Sequence, residues 1–131
     1  MKKFILFFLI IIGVLSCTDK NSLFEELSPF RTGVKFSNDL AYDETFNIFT
    51  YRNYYNGGGV GLGEINKSGL IDIFLKSNLE KNMLYLNKGD FKFEDITDFA
   101  GVAGTKSWST GVSIADINAD GFLDIYVSNS G

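Results

Sequence analysis

Histidine is absent from the 131 residues of this chain, and cysteine occurs once. Histidine is the commonest general base of enzymes and a principal zinc ligand, so its absence excludes most hydrolase triads and most zinc-enzyme sites from this stretch. The single cysteine, Cys17, excludes an internal disulfide. The sequence therefore predicts no catalytic residues, and the chain by itself is expected not to be an enzyme.

Acidic residues outnumber basic residues in the part of the chain that follows Cys17. Lys2 and Lys3 precede Cys17, whereas all 16 acidic residues follow it. Proteins that bind nucleic acid rely on basic side chains that neutralise phosphates. Nucleic acid is therefore not an expected partner.

The chain contains one long apolar run, at its N-terminus. Phe4 to Leu15 is apolar apart from Gly13, and this run is well short of the roughly 20 residues that a membrane-spanning helix needs. Two lysines stand directly before it. The run therefore predicts a signal peptide over residues 1–16, and hence export.

The junction Ser16-Cys17 resembles the bacterial lipobox, in which the cysteine is acylated and becomes the mature N-terminus. The resemblance implies a lipidated Cys17 that holds the protein on the bacterial outer membrane, at the cell surface. Each buried methylene of an acyl chain contributes about 0.8 kcal/mol to such an anchor. The alternative interpretation is an unmodified thiol after a signal peptide. Residues 17–30, polar at first and containing the only proline, Pro29, are expected to form a tether.

An internal repeat follows the tether. Residues 60–74 align without a gap on residues 112–126, at an offset of 52. The identical pairs are Val60 and Val112, Ile65 and Ile117, Asn66 and Asn118, Gly69 and Gly121, Asp72 and Asp124, and Ile73 and Ile125. Each copy alternates apolar strand patterns with a polar loop that contains glycine, and the first copy continues into two further strand patterns. Four antiparallel strands in a repeat of about 50 residues are typical of a β-propeller blade.

The predicted fold is all-β, a partial β-propeller of about one and a half four-stranded blades that follows the signal peptide. Residues 31–56 are expected to form N-terminal strands leading into the propeller. Residues 57–105 are predicted to be the first blade and residues 106–131 a second, truncated blade. Because the outer strands of that second blade would fall beyond Gly131, the chain is expected to be the N-terminal part of a longer protein.

The loop of the second copy carries a pattern suited to a cation. Oxygen-bearing side chains stand at relative positions 1, 3, 5 and 9, and Gly121 at position 6 lets the loop bend so that the carbonyl at position 7 turns inward. The candidate ligands are Asp116, Asn118, Asp120, Phe122 through its carbonyl, and Asp124. Calcium takes about six to eight oxygen ligands in flexible geometry. The pattern therefore predicts a Ca²⁺ site.

The first copy has the same spacing with a poorer set of ligands. Its candidates are Glu64, Asn66, Ser68, Leu70 through its carbonyl, and Asp72. Two carboxylates remain instead of three, and glutamate is one methylene longer than aspartate. This loop is predicted to bind Ca²⁺ more weakly.

A β-loop calcium site has two alternatives, an EF-hand and a metal-free turn. An EF-hand requires a bidentate glutamate at position 12, where this chain has Val127 inside an apolar strand, so the EF-hand is excluded. A metal-free turn stays open, because Asp, Asn and Gly favour turns without any ion. Mutual repulsion of three carboxylates in one short loop favours the metal.

Loops of this kind between β-strands resemble the calcium loops of FG-GAP or VCBS repeats, as in the integrin α-chain propeller. The wider sequence is similar to the start of large VCBS-repeat lipoproteins of Bacteroidetes type, related to the UnbV and cartilage acidic protein group. The segments that carry this similarity are 32–36, 55–60, 84–89, 93–97, 100–102 and 108–112. Glu64 and Ser68 stand where the family usually has aspartate, which weakens only the first site. The resemblance implies a long extracellular protein.

Four aromatic residues have two interpretations. Tyr51, Tyr54, Tyr55 and Trp108 either stack on sugar rings or pack between blades, and packing is favoured because aromatic side chains bury large areas in β cores. The expected function is a calcium-binding, non-catalytic interaction or adhesion platform for an extracellular protein or glycan. The alternative is the propeller part of a larger secreted enzyme, such as a polysaccharide-degrading hydrolase or lyase, whose catalytic domain lies beyond residue 131.

Overall fold

The computed structural model describes residues 22–104 and 108–129. The elements in chain order are α1 (Pro29–Thr32), β1 (Val60–Gly63), β2 (Asp72–Leu75), β3 (Met83–Asn87), β4 (Phe93–Asp95), α2 (Thr97–Ala100), β5 (Ser109–Ala115) and β6 (Asp124–Asn129). The predicted signal peptide, Cys17 and residues 17–21 of the predicted tether lie outside the described residues. No helix in the described part of the chain has the length and apolarity to cross a membrane.

The strands form two antiparallel sheets. β1, β2, β3 and β4 pair in sequence order, and β5 pairs with β6. This meander follows from short apolar strand patterns separated by Gly- and Asn-containing turns, because such turns join antiparallel neighbours directly. The prediction of an all-β, partial propeller with one four-stranded blade and half of a second is confirmed.

The prediction of N-terminal strands over residues 31–56 is wrong. The segment begins in α1, whose N-cap Ser28 accepts from the Arg31 amide, and no strand occurs in the fully described stretch from residue 33 to residue 59. Turns replace strands because side chains supply the hydrogen bonds locally. Asp43 Oδ1 accepts from the Thr45 and Phe46 amides, each at 2.7 Å. Such side-chain bonds compete with a strand ladder.

The N-terminal segment is nevertheless docked on the first sheet. The Lys35 amide donates to the Tyr85 hydroxyl at 3.1 Å, and the Asn38 side-chain oxygen Oδ1 accepts from the Ser77 hydroxyl and the Asn78 amide, both at 2.9 Å. Ser77 and Asn78 lie just after β2 and are almost fully buried. The segment therefore covers part of the sheet without adding a strand to it.

The two sheets pack through their first strands. A Cβ added to Gly61 would lie 2.8 Å from the Ile114 Cδ1 atom, and one added to Gly63 would lie 2.7 Å from the Ile114 Cγ2 atom. Both distances are shorter than real Cβ contacts, so β1 carries glycine where the apolar side chains of β5 press against it. Phe74, opposite Gly61 in the sheet register, is 1% exposed.

A cluster of aromatic rings forms a further part of the core, beside the contact between the two sheets. Tyr54 and Trp108 stack with ring centroids 5.5 Å apart, and Phe46 contacts both rings edge-on. Tyr54 is 1% exposed and Trp108 7% exposed. These rings join the turns before β1 to the start of β5. The structure thus places Trp108 and Tyr54 in packing, whereas Tyr55 lies exposed beside them.

Candidate metal-binding loops

The two candidate loops occupy equivalent places in the two sheets. Loop 1 (Glu64–Asp72) joins β1 to β2, and loop 2 (Asp116–Asp124) joins β5 to β6. Each loop ends at an equivalent residue pair of its own sheet: Gly63 lies opposite Asp72 in the first sheet, and Ala115 lies opposite Asp124 in the second. The last candidate ligand of each loop is therefore also the first residue of the returning strand.

The backbone of the two loops follows the same course. The fourth residue is left-handed in both, with φ of 57° at Lys67 and 61° at Ala119. The sixth residue is also left-handed, with φ of 81° at Gly69 and 83° at Gly121. Two left-handed residues in a nine-residue loop turn the side chains at positions 1, 3 and 5 to one side. This shared backbone is the structural counterpart of the sequence repeat.

In loop 2 the side-chain oxygens gather around backbone amides. Asp116 Oδ1 and Asn118 Oδ1 both accept from the Asp120 amide, each at 3.1 Å. Asp116 Oδ2 accepts from the Gly121 amide at 2.8 Å, and Asp124 Oδ2 accepts from the Ile117 amide at 3.0 Å. The Asn118 side-chain amide donates to Asp120 Oδ2 at 2.9 Å. The first three predicted side-chain ligands are thus brought together at one turn.

The surroundings of Asp120 favour its ionised form. Its Oδ1 atom accepts from the Phe122 amide at 2.8 Å. This bond, followed by the bond from the Asn118 side chain and the charge of Lys67, holds the pKa of Asp120 below its ordinary value. Charged donors and amides that bind a carboxylate stabilise its negative form. Asp120 is therefore ready as an anionic ligand at neutral pH.

Lys67 is a residue of loop 1 that reaches loop 2. Its ammonium nitrogen lies 3.6 Å from the centroid of the Phe122 ring. An ammonium over an aromatic face is attracted by the ring quadrupole. The two loops are therefore in contact. Sequence reasoning missed this role of Lys67, because no local pattern signals a contact that depends on how the sheets pack.

Loop 1 repeats most of these hydrogen bonds with different side chains. Glu64 Oε1 accepts from the Gly69 amide, as Asp116 accepts from Gly121. Asn66 Oδ1 accepts from the Ser68 amide at 3.1 Å. The Ser68 hydroxyl accepts from the Leu70 amide at 3.4 Å, where Asp120 provides a carboxylate at 2.8 Å in loop 2. Loop 1 is therefore the same turn with a neutral residue at position 5.

The aspartates that close the two loops, Asp72 and Asp124, differ in burial and in hydrogen bonds, although both occupy position 9 of the same motif. Asp72 is 1% exposed, and its two oxygens accept from the Ile65 amide at 2.9 Å and the Asn87 amide at 2.8 Å. Asn87 belongs to β3, the third strand of the first sheet. Asp124 is half-buried and accepts from the Ile117 amide. Asp72 therefore links its loop to the sheet interior, in addition to any role as a ligand.

The donor set of loop 2 fits a hard cation such as Ca²⁺. The oxygens of Asp116 and Asn118 share one amide, and the Asp120 carboxylate is bonded to the Asn118 side chain beside them. No group of three or more His, Cys, Asp or Glu side chains within residues 22–104 and 108–129 is arranged to hold a metal ion. The three aspartates of loop 2 are therefore not gathered into one cluster, and the candidate set depends also on the Asn118 amide oxygen and a main-chain carbonyl, both of which are ligand types that Ca²⁺ accepts.

The sequence of both loops matches a known protein family. A family profile for the FG-GAP-like repeat matches residues 64–127, which begin at loop 1 and extend past loop 2. Residues 64–127 are an FG-GAP-like repeat region. The resemblance inferred from the loop pattern is confirmed.

Proteins similar to this chain include cartilage acidic protein 1 from three vertebrates. The protein from Xenopus tropicalis is 41% identical over 78 residues, which are 59% of this chain and 12% of the relative. The human protein is 34% identical over 104 residues, which are 79% of this chain and 15% of the relative, and the mouse protein is 33% identical over the same shares. The aligned region is thus less than a sixth of each relative.

Proposed function

We propose that this chain is a calcium-binding FG-GAP module that is held at the cell surface by a lipid on Cys17 and acts as a non-catalytic interaction platform. The observation that carries the calcium part is the convergence of the Asp116 and Asn118 side-chain oxygens on the Asp120 amide, with the Asp120 carboxylate bonded to the Asn118 side chain beside them. The same turn recurs in loop 1 with the same two left-handed positions. A backbone repeated this closely favours a shared purpose over a chance turn.

Each residue of loop 2 has a distinct part in holding the ion. Asp116, Asn118 and Asp120 offer side-chain oxygens from one side, and Asp124 offers a carboxylate from the start of β6. Phe122 contributes its carbonyl at position 7. Bound Ca²⁺ would supply positive charge that offsets the repulsion among the three carboxylates.

The stabilising role follows from where the loop lies. Asp116 directly follows β5, and Asp124 begins β6, so cross-linking them through an ion fixes the β5–β6 hairpin. β5 is also the strand that packs on β1. Calcium in loop 2 is therefore expected to stabilise both the hairpin and the contact between the sheets. A structural ion of this kind performs no chemistry on a substrate.

The proposed anchor rests on the sequence alone. The apolar run from Phe4 to Leu15 ends at Ser16-Cys17, the pattern of a lipoprotein signal. Stable anchoring of this type needs more than one acyl chain. The proposed location is the outer membrane of a bacterium, with the FG-GAP sheets outside the cell and a protein or glycan as the partner.

Only some of the aromatic residues are accessible to a partner. Trp108 and Tyr54 are buried in ring contacts, so neither offers a face to a sugar. Tyr55 is 69% exposed and Phe49 96% exposed. A glycan, if it is the partner, would therefore contact these exposed rings.

The calcium proposal is tested by direct titration of the full chain with CaCl₂ after treatment with a chelator. Isothermal titration calorimetry is expected to show weak binding, with a Kd of about 10⁻⁴ to 10⁻³ M as in extracellular calcium modules. Magnesium is the matched control, because its small ion demands a near-ideal octahedron that this mixed donor set does not provide. Absence of any calcium heat in this range would falsify the proposal.

The anchor is tested separately by labelling with a fatty acid. Bacteria that express the full chain and receive labelled palmitate are expected to label it, and Cys17→Ser is expected to remove the label. Ser16→Thr is a matched control that keeps the thiol. Label that persists on the Cys17→Ser chain contradicts lipidation at this residue, whatever the calcium titration gives.

A further inference from the structure

Loop 2 has a basic neighbour that does not belong to its own sequence. The ammonium nitrogen of Lys67, a residue of loop 1, lies 3.6 Å from the centroid of the Phe122 ring. The same nitrogen lies 3.7 Å from the position that a Cβ on Gly121 would take. Both distances place one positive charge at the turn that carries the candidate calcium ligands of loop 2.

The charges of loop 2 decide what this neighbour can do. Residues 116–124 contain three aspartates and no lysine or arginine. The Phe122 amide, the Asn118 side chain and the charge of Lys67 hold the pKa of Asp120 below its ordinary value of 3.8. An aspartate with that ordinary pKa is already ionised at neutral pH. At neutral pH Lys67 therefore adds nothing to the ionisation of Asp120, and its remaining effect is that of a cation beside a loop with three carboxylates.

The repeat shows that this lysine belongs to one loop and is not required by the turn. Position 4 is left-handed in both copies, with φ of 57° at Lys67 and 61° at Ala119. The backbone therefore makes the same demand in both loops, but only loop 1 carries a charged side chain at this position. Alanine satisfies the turn in loop 2. Lys67 thus supplies a charge that the turn itself does not need.

We propose that Lys67 is a built-in counter-ion of loop 2 that competes with calcium and so sets the calcium affinity of that loop from the neighbouring sheet. Without metal, the ammonium offsets part of the negative charge of the three aspartates. A divalent cation in loop 2 is repelled by the same ammonium, because like charges close together raise each other's energy. Lys67 therefore keeps the affinity below the value that the ligands alone would give. This inference rests on the calcium role proposed for loop 2.

The Phe122 ring acts as a positioning group for this charge. Lys67 is exposed, and a lysine ammonium stands on a flexible four-carbon stem. The face of the ring attracts the ammonium and holds it beside the loop. Phe122 also offers its main-chain carbonyl as a candidate ligand. One residue thus presents a ligand with its backbone and holds the competing charge with its side chain.

The test is an NMR titration of the full chain with CaCl₂, in which the two loops are followed separately. The Gly121 amide donates to Asp116 and reports on loop 2, and the Gly69 amide donates to Glu64 and reports on loop 1. Lys67→Arg, Lys67→Met and Lys67→Glu form a charge series at one exposed position. Each of these side chains has a Cβ, so the left-handed backbone at this position is strained to a similar degree in all of them.

The Kd measured at Gly121 is expected to follow the charge at position 67. Lys67→Arg is expected to match the unmodified chain, Lys67→Met to bind calcium about fivefold more tightly, and Lys67→Glu to bind it more tightly still. In 1 M NaCl the Debye length is about 3 Å, so the differences within the series are expected to shrink towards none. A contact that serves only to pack Lys67 on Phe122 predicts neither this order nor this salt dependence.

Two further variants test the positioning part and the specificity of the effect. Phe122→Leu keeps the main-chain carbonyl but removes the ring that holds the ammonium, so it is expected to tighten calcium binding by less than Lys67→Met does. Lys88→Met is the matched control, because Lys88 pairs with Glu94 at 3.0 Å, away from both loops. This control is expected to leave the Kd at Gly121 unchanged.

Three results overturn the inference and leave the calcium proposal standing. They are a Kd at Gly121 that is the same throughout the charge series, a Lys67→Met chain that binds calcium more weakly than the unmodified chain, and an effect of Lys67→Met that appears at Gly69 but not at Gly121. Absence of a calcium-induced shift at Gly121 in every variant overturns both the inference and the calcium proposal for loop 2. The failure of one is thereby distinguished from the failure of the other.

Discussion

Loop 1 and loop 2 share a backbone and differ in charge and in surroundings. Both have left-handed residues at positions 4 and 6 and a closing aspartate that accepts from the residue at position 2. Position 5 is Ser68 in loop 1 and Asp120 in loop 2, and only the closing aspartate of loop 1 is held by a third strand. The same turn is therefore hydrogen-bonded to a third strand in loop 1 and carries one more carboxylate in loop 2.

A repeat can keep its backbone geometry while its copies differ in burial and charge, and we expect the two loops to divide two tasks. Loop 1 is stabilised by hydrogen bonds to its own sheet. Loop 2 is more exposed and carries three carboxylates in nine residues, where loop 1 carries two. We expect substitutions in loop 1 to change the stability of the chain most, and substitutions in loop 2 to change its response to calcium most.

The largest effect is expected from removing the closing carboxylates without calcium present. Asp72→Ala leaves two amide donors, of Ile65 and Asn87, without their partner in a nearly fully buried site, and each unpaired buried donor costs about 1–3 kcal/mol. Asp124→Ala removes one such bond at a half-buried site. Urea denaturation in the presence of a chelator is the measurement. Equal losses of unfolding free energy in the two variants would contradict the division of tasks.

The next effect concerns the response to calcium. Binding to the native state alone stabilises a protein by about 2.7 kcal/mol when the ligand is a hundredfold above Kd. Asp120→Ala is expected to remove most of the calcium-induced rise in thermal midpoint, because a charged ligand is lost from loop 2. Ser68→Ala, the matched change in loop 1, is expected to alter the rise little. Differential scanning calorimetry with and without calcium measures both, and a similar response in the two variants refutes the ranking of the sites.

A smaller effect on stability is expected from replacing the left-handed glycine that the two loops share at position 6. Gly69 and Gly121 both have φ above 80°, a conformation that costs an L-residue roughly 1–2 kcal/mol. A Cβ at Gly69 would meet no atom within 4 Å, so Gly69→Ala introduces backbone strain without a clash. Gly69→Ala and Gly121→Ala are therefore expected to destabilise the chain alike in chelator. Only Gly121→Ala is expected to weaken calcium binding as well, as measured by calorimetric titration.

The smallest effect is expected at the contact between the loops. Lys67→Met removes the ammonium from the Phe122 ring and from the neighbourhood of Asp120, so the pKa of Asp120 is expected to rise towards its ordinary value. A carboxylate with a lowered pKa contributes stability above its ordinary pKa of 3.8, and this contribution is lost as the pH falls through the lower, folded-state pKa. In the variant that loss begins at higher pH.

Carboxyl NMR titration of the chain in chelator measures this shift. Lys88→Met is the matched control, because Lys88, directly after β3, pairs with Glu94 of β4 at 3.0 Å, away from both loops. The control is expected to leave the titration of Asp120 unchanged. An Asp120 titration that is the same in Lys67→Met and the unmodified chain would show that the two loops are independent.

Much of the fold could be predicted from local patterns. The strands of both sheets follow from short apolar runs separated by Gly and Asn turns, and the two loops follow from an offset of 52 between matching residues. The predicted N-terminal strands were wrong because Asp43 and Asn47 satisfy nearby amides with their own side chains. An apolar pattern alone does not reveal this competition between side chain and ladder.

Part of the candidate site depended on contacts between distant residues. The bond from the Asn87 amide to Asp72 requires β3 to lie beside β2, and the Lys67 contact with Phe122 requires the two sheets to be packed. No spacing in the sequence distinguishes Asp72 from Asp124 in this respect, because both occupy position 9 of the same motif.

The sequence by itself determined the all-β class, the repeat and the ligand pattern of both loops, because each is set by residues that are close together in the chain. Alternation along a strand, a glycine in the left-handed region and oxygens at positions 1, 3 and 5 are all local. Only the tertiary structure decided which aspartate is buried, which aromatic rings form the core and which strand faces stay exposed. Those outcomes depend on how the sheets and the N-terminal turns pack, and packing joins residues that no local pattern connects.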